Sequence, residues 1–301
     1  MQPDRRHFLS AMAVLALDPT KPGGGLPVAT SQYPWLTFFA RDKRSWDRDL
    51  AGAVADVARA GMAGLEPIAT SPGQVKALAP HLSKHGLKLR SLYVNSKVHD
   101  KADADRSLEE VLAIAAEAKK LGCEIVVTNP SPIRWGGPES KTDAQLETQA
   151  ANLDRLGAEL GKRGMTLAYH NHDAELRHAA REFHHMMVGT DPKKVSLCLD
   201  SHWVFRGAGD SQVALFDVVK LYGKRVVELH LRQSRGGVWT EVFGDGDIDH
   251  ARLAEMLVGL AVKPHVVLEQ AVEAKSPNTL GVVESHRRGR EYAQKVFAPL
   301  A

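Results

Sequence analysis

At 301 residues, 44% of them hydrophobic, the chain is long enough for one large core and short for two. Lys and Arg number 39 against 36 Asp and Glu, a net charge of +3, which argues against nucleic acid or an anionic membrane as the main partner. The two cysteines, Cys123 and Cys198, fall in separate apolar runs and read as buried free thiols rather than a disulfide.

The first residues differ in character from the rest. Asp4-Arg5-Arg6-His7-Phe8-Leu9-Ser10, followed by apolar Ala11 to Leu17, has the paired arginines and the Phe-Leu of a twin-arginine signal. That predicts export to the periplasm; without export the chain would be cytoplasmic. The run is short and no small-x-small cleavage site follows it. Pro19 to Pro27, with Gly23, Gly24 and Gly25, reads as a flexible linker. Residues 1–30 are therefore expected to be signal and linker, and 31–301 one folded domain. No apolar run reaches the ~20 residues of a membrane span.

From there short apolar runs alternate with amphipathic segments, the mark of a parallel sheet with crossover helices. The expected strands are Trp35 to Ala40, Gly64 to Ile68, Leu87 to Val94, Glu124 to Asn129, Thr166 to His172, Val195 to Asp200, Val226 to Leu231 and Val266 to Gln270. Eight such strands predict an α/β fold of a single (β/α)8 TIM barrel. Apolar residues three and four apart predict helices over Leu108 to Leu121, Ala144 to Lys162 and Ala251 to Leu260, and Gly86, Gly122 and Gly164 read as helix stops. A doubly wound open sheet would carry a glycine-rich phosphate loop after its first strand, and Phe39-Ala40-Arg41-Asp42-Lys43 is not one.

In a barrel the working groups gather at the C-terminal strand ends. Here the later strands end Tyr169-His170-Asn171-His172, Leu199-Asp200-Ser201-His202-Trp203, Leu229-His230-Leu231-Arg232 and Leu268-Glu269-Gln270, and the second strand carries Glu66. Alternation puts His170 with His172, Asp200 with His202, and His230 with Arg232. Four strands converging on carboxylates and imidazoles would be a costly core unless a cation balances them. Mixed nitrogen and oxygen donors suit manganese, cobalt, iron, nickel or zinc better than calcium.

The order Tyr-His-Asn-His-Asp, Leu-Asp-x-x-Trp, Leu-His-Leu, Gly244-Asp245-Gly246-Asp247-Ile248-Asp249 and Leu-Glu-Gln resembles the sugar phosphate isomerase/epimerase family, the xylose-isomerase-like barrels, from about Trp35 to the end. The resemblance implies one divalent metal ion held by His170, Asp200, His230 and Glu269, with a small carbohydrate completing its shell. Glu66 matches a glutamate common at the end of the second strand in this family, where pairing with Arg90 and contact with substrate are equal alternatives; Asn171, Trp203 and Arg232 are the other expected substrate contacts. Barrels of this kind often pair, so a homodimer is compatible with it. The chain departs from the family pattern in having His170 where ketose epimerases place a glutamate, and Arg232-Gln233 where many relatives have Lys-Asp. Glu175 could substitute as ligand or base; a surface glutamate opening the next helix is the simpler reading. Asp245, Asp247 and Asp249 mimic a calcium loop that fails at His250 and Met256. Asp249 is expected to cap the following helix, in a loop closing over substrate. Trp203 and Trp239 are candidates to stack on a sugar.

The activity implied is metal-dependent isomerisation or epimerisation of a small sugar or keto-sugar through an enediolate, with Glu269 as base and His172 or His202 returning the proton. With the second glutamate absent and export expected, a lyase or hydrolase releasing the aglycone of a 3-keto-glycoside is the close alternative. A non-catalytic carbohydrate-binding barrel is the rival from another class. DNA-repair endonuclease action is disfavoured because no basic stripe is present.

Overall fold

The computed structural model describes residues 25–301. The twin-arginine motif and most of the linker fall on residues 1–24, outside the described residues. The strands are β1 (Val28–Ser31), β2 (Gly64–Glu66), β3 (Ser91–Tyr93), β4 (Ile125–Thr128), β5 (Thr166–His170), β6 (Val195–Asp200), β7 (Val226–Leu231), a hairpin of β8 (Ser234–Arg235) and β9 (Val238–Trp239), and β10 (His265–Leu268). Eight of them form one parallel sheet in the order β2-β1-β10-β7-β6-β5-β4-β3. Its two edges meet, since Leu65 N donates to Lys88 O at 2.9 Å and Tyr93 N to Pro67 O at 2.9 Å, so the sheet closes into a TIM barrel with helices outside. Among the described residues no helix is long and apolar enough to cross a membrane.

Seven expected strands stand within a few residues of their place, and β6 and β7 coincide end to end. The first needs correction. Trp35 to Ala40 lies in helix α1 (Gln32–Arg41), and the first strand is Val28–Ser31, directly after the Pro19 to Pro27 linker and across the expected domain boundary at residue 30. An unbroken apolar run does not distinguish a buried strand from a helix. Local chemistry decides: Ser31 Oγ caps the helix by accepting from Tyr33 N at 3.3 Å, and Pro34 sits in its first turn, where its missing N–H costs nothing.

Helix α1 buries Trp35, Phe38 and Phe39 completely, each contributing about 1.5–3 kcal/mol of apolar burial. Trp35 stacks on His286 of α10 (Val282–Val296) at 4.2 Å between centroids and donates Nε1 to Thr30 Oγ1 at 3.1 Å. The helix over Lys101–Lys119 begins seven residues before the expected Leu108, because Asp100 caps it by accepting from Ala102 N at 2.8 Å. Gly86, Gly122 and Gly164 all adopt left-handed φ (66°, 93° and 65°), the conformation that lets a helix turn into the next strand.

Candidate functional site

Parallel pairing sets the ends of β5, β6, β7 and β10 side by side, with His170 beside Cys198, Asp200 beside His230, and His230 beside Val267. Side chains two residues apart share a face, so His170, Asp200, His230 and Glu269 all turn into the barrel mouth. One donor atom from each lies within 4.8 Å of the others, and the four are buried. His170 Nε2 is 3.7 Å from Asp200 Oδ2, and His230 Nδ1 is 3.5 Å from Glu269 Oε2.

Most of these atoms lack partners. Both ring nitrogens of His170, Oδ2 of Asp200 and Nδ1 of His230 accept or donate no hydrogen bond although they are shut from solvent, and Oε2 of Glu269 is met by the Arg232 guanidinium at 3.0 Å. Burial, aided by the His172 and His230 imidazoles, drives the His170 pKa well below its usual value, so the ring is neutral with a lone pair to offer. Burial pushes Asp200 up to about 8, a penalty that an adjacent cation removes. For Glu269 burial acts upward, but Arg232 and His230 outweigh it and hold the carboxylate ionised. Two imidazoles and two carboxylates converging in this way form a donor set fitting a transition-metal dication.

A cavity of about 350 Å³ opens over this cluster and shares Glu269 with it. Tyr33, Tyr93, Trp135 and Trp203 give it aromatic walls; His172, Asn95 and Arg232 supply polar ones. His172 is held near pKa 4 by burial and is a neutral imidazole at neutral pH. Arg232 stacks on Trp239 at 4.1 Å and on Trp203 at 5.1 Å. Its Nη2 lies 3.0 Å from Glu269 Oε2, its Nε donates to Glu269 O at 2.9 Å, and its Nη1 has no partner.

Several residues expected at the substrate lie elsewhere. Asn171 is buried behind Asp200, accepting from Asp200 N at 3.2 Å and donating to Asp200 O at 3.3 Å, so it braces the strand end that carries Asp200. Glu66 does not line the cavity and does not pair with Arg90, which bonds Glu124 on the exterior at 3.0 Å; its Oε1 is 3.0 Å from His230 Nε2. His202 is buried among Trp203, Phe205 and Trp239, off the cavity wall, and burial takes it down to about 2. Glu175 is neither exposed nor in the cluster: it is 1% accessible, accepting from Asn129 Nδ2 at 3.1 Å and from His172 N at 2.7 Å. Trp239 is buried beneath Arg232.

The aspartate run is structural. Asp247 accepts from Ser234 Oγ, Gly236 N and Gly237 N, holding the β8–β9 hairpin, and Asp249 caps α9 (His250–Gly259) by accepting from Arg252 N at 2.9 Å. Sequence reasoning missed Tyr33, Tyr93, Asn95, Trp135 and Glu228. Trp135 sits in the loop after β4, where periodicity carries no information, and Tyr33 belongs to the helix misread as a strand.

Fold and cluster define a (β/α)8 barrel with a candidate metal centre at its mouth. Residues 54–292 match the family model of the xylose isomerase-like TIM barrel, and the chain belongs to that family. An inosose dehydratase of Geobacillus thermodenitrificans (strain NG80-2) is 24% identical over 271 residues, covering 80% of this chain and 88% of that protein. A rhizopine catabolism protein of Rhizobium meliloti is 26% identical over 280 residues, covering 84% and 83%. Among solved structures, an L-ribulose 3-epimerase superposes with a TM-score of 0.70 at 17% identity, covering 91% of this chain and 95% of that one. A 3-keto-D-glucoside 4-epimerase from E. coli gives 0.65 at 14%, covering 90% and 99%.

Proposed function

We propose that this chain is a divalent-metal-dependent enzyme that moves a proton on a small, non-phosphorylated cyclic keto-sugar or cyclitol ketone, as an isomerase or epimerase. The observation that carries the reading is the set of four converging donors, from His170, Asp200, His230 and Glu269, the first three without a hydrogen-bond partner at the facing atom, at the floor of an aromatic cavity. The names of similar proteins point the same way, to an inosose, a ribulose and a 3-keto-glucoside. A divalent cation bound there would supply Lewis acidity toward a substrate carbonyl or hydroxyl oxygen, which makes the neighbouring carbon acid stronger.

The chain's own groups account for selection and proton handling. Trp203, Trp135 and the two tyrosines offer flat apolar faces to a sugar ring. Among the described residues Arg232 is the one Lys or Arg lining the cavity; its Nε and Nη2 face Glu269, and its Nη1 is shut from solvent without a partner. A guanidinium held in this way presents no free fork for a phosphate. Neutral His172 on the wall can accept a proton and return it to carbon or to oxygen, while Arg232 fixes Glu269 in its charged form.

One observation favours elimination as a second reading. In the cluster β5 contributes the imidazole of His170 and not a glutamate, so Glu269 has no glutamate partner from that strand for protonating the opposite face of the sugar. A lone base that passes its proton to a departing oxygen gives a lyase on a 3-keto-glycoside. The test is a panel of glycosides, 3-keto-glycosides and cyclitol ketones incubated with metal-loaded protein in deuterated water. Deuterium in recovered substrate or isomer supports proton shuttling, and aglycone release supports the lyase. Neither event on any ketone would contradict both.

A further inference from the structure

Below the candidate metal centre the barrel interior holds two carboxylates where apolar side chains normally fill the layers. Glu66 ends β2 and Glu228 lies on β7 two residues before His230, on the same inward face; all three are fully buried. His230 Nε2 stands 3.0 Å from Glu66 Oε1 and 3.2 Å from Glu228 Oε1. The nearer oxygen is Glu66's, but Glu228 Oε1 is the one placed along the ring N–H direction, so the two act on Nε2 together. Among the described residues no group other than His230 and the two acids themselves reaches Glu66's oxygens or Glu228 Oε2. Two acids sunk in a barrel without further partners carry a desolvation cost and do nothing for packing that leucine would not do better.

The opposite ring nitrogen, Nδ1, faces His170, Asp200 and Glu269. We propose that Glu66 and Glu228 are positioning residues that hold the proton of His230 on Nε2, fixing the ring's orientation and aiming the Nδ1 lone pair at the metal centre. The inference rests on the metal-centre reading above. A carboxylate behind a ligating imidazole makes it a stronger donor and locks its tautomer, and loss of such a partner typically weakens metal binding about 10–100-fold.

The test uses the full chain with zinc(II) as probe. Zinc affinity is measured by chelator competition for wild type, Glu66→Gln, Glu228→Gln and Glu228→Leu, and the protonated nitrogen of His230 is read from 15N-histidine spectra of the zinc-loaded protein. The expected result is one zinc, a proton on Nε2, and affinity lowered about 10-fold in each Gln variant and toward 100-fold in Glu228→Leu. The metal-free variants should melt no lower than wild type, since removing a buried acid relieves a desolvation cost. Should Glu228→Leu fail to fold, the Gln pair decides. Zinc held through Nε2, unchanged affinity in both Gln variants, or a second zinc lost on replacing Glu228 would overturn this inference alone. Absence of any zinc uptake would remove the metal-centre reading together with it.

Discussion

His172 and His202 come from adjoining strand ends, and their surroundings give them different parts. His172 borders open space and keeps a ring available to a ligand; His202 is enclosed by Trp203, Phe205 and Trp239, with both nitrogens unpartnered. A buried imidazole without partners is a liability, so His202→Phe should raise stability by about 1 kcal/mol and leave metal uptake unchanged, as calorimetry and elemental analysis would measure. A collapse of metal uptake or turnover would restore a direct role for His202. The convergence of His170, Asp200, His230 and Glu269 was legible in the sequence because each lies at the C-terminal end of a barrel strand, where side chains gather at the mouth. Glu228 shares a face with His230 by alternation, yet inside a strand it looks like any outward charge until the packing around His230 is seen.

At the level of elements, boundaries were hardest where local capping outweighs periodicity. Ser31 and Pro34 make a helix of a run that hydrophobicity alone cannot assign, and Asp100 starts a helix well before its apolar stripe appears. Contacts between elements also reverse ordinary propensity. Gly157 lies mid-helix in α5 (Asp143–Lys162), where alanine would normally add about 1 kcal/mol. A Cβ there would overlap the carbonyl oxygen of Lys194, backbone that cannot step aside. Gly157→Ala is therefore expected to destabilise by about 1–3 kcal/mol in urea unfolding, and a gain in stability would refute the contact.

The docking of α10 on α1 carries a pH signature. Burial lowers His286 to about 4, against about 6.5 when unfolded, while its Nδ1 bonds Val282 O at 2.8 Å. Between those values the unfolded chain binds the proton and the folded one does not, so stability is whole above pH 6.5 and falls as pH drops toward 4. From pH 7 to pH 5 this group should cost about 2 kcal/mol, and His286→Phe should lose that much less over the same interval. Equal losses in both proteins would mean that the buried imidazole does not control the acid sensitivity of this contact.

For the whole molecule, alternation of strands and helices was enough to expect closure, because eight parallel strands covered by helices on one side have few other arrangements. The cavity walls were not readable. Tyr33, Tyr93 and Trp135 come from three different elements and meet only through barrel geometry. What joins fold to chemistry is the claim that His170, Asp200, His230 and Glu269 bind one divalent ion between them. Titration calorimetry with manganese, cobalt and zinc on chelator-stripped protein tests it, with Asp200→Ala as control and circular dichroism to verify its fold. The account predicts one equivalent bound by wild type and loss of tight binding in the folded variant. No uptake of any of the three, or equal uptake by both proteins, would contradict it.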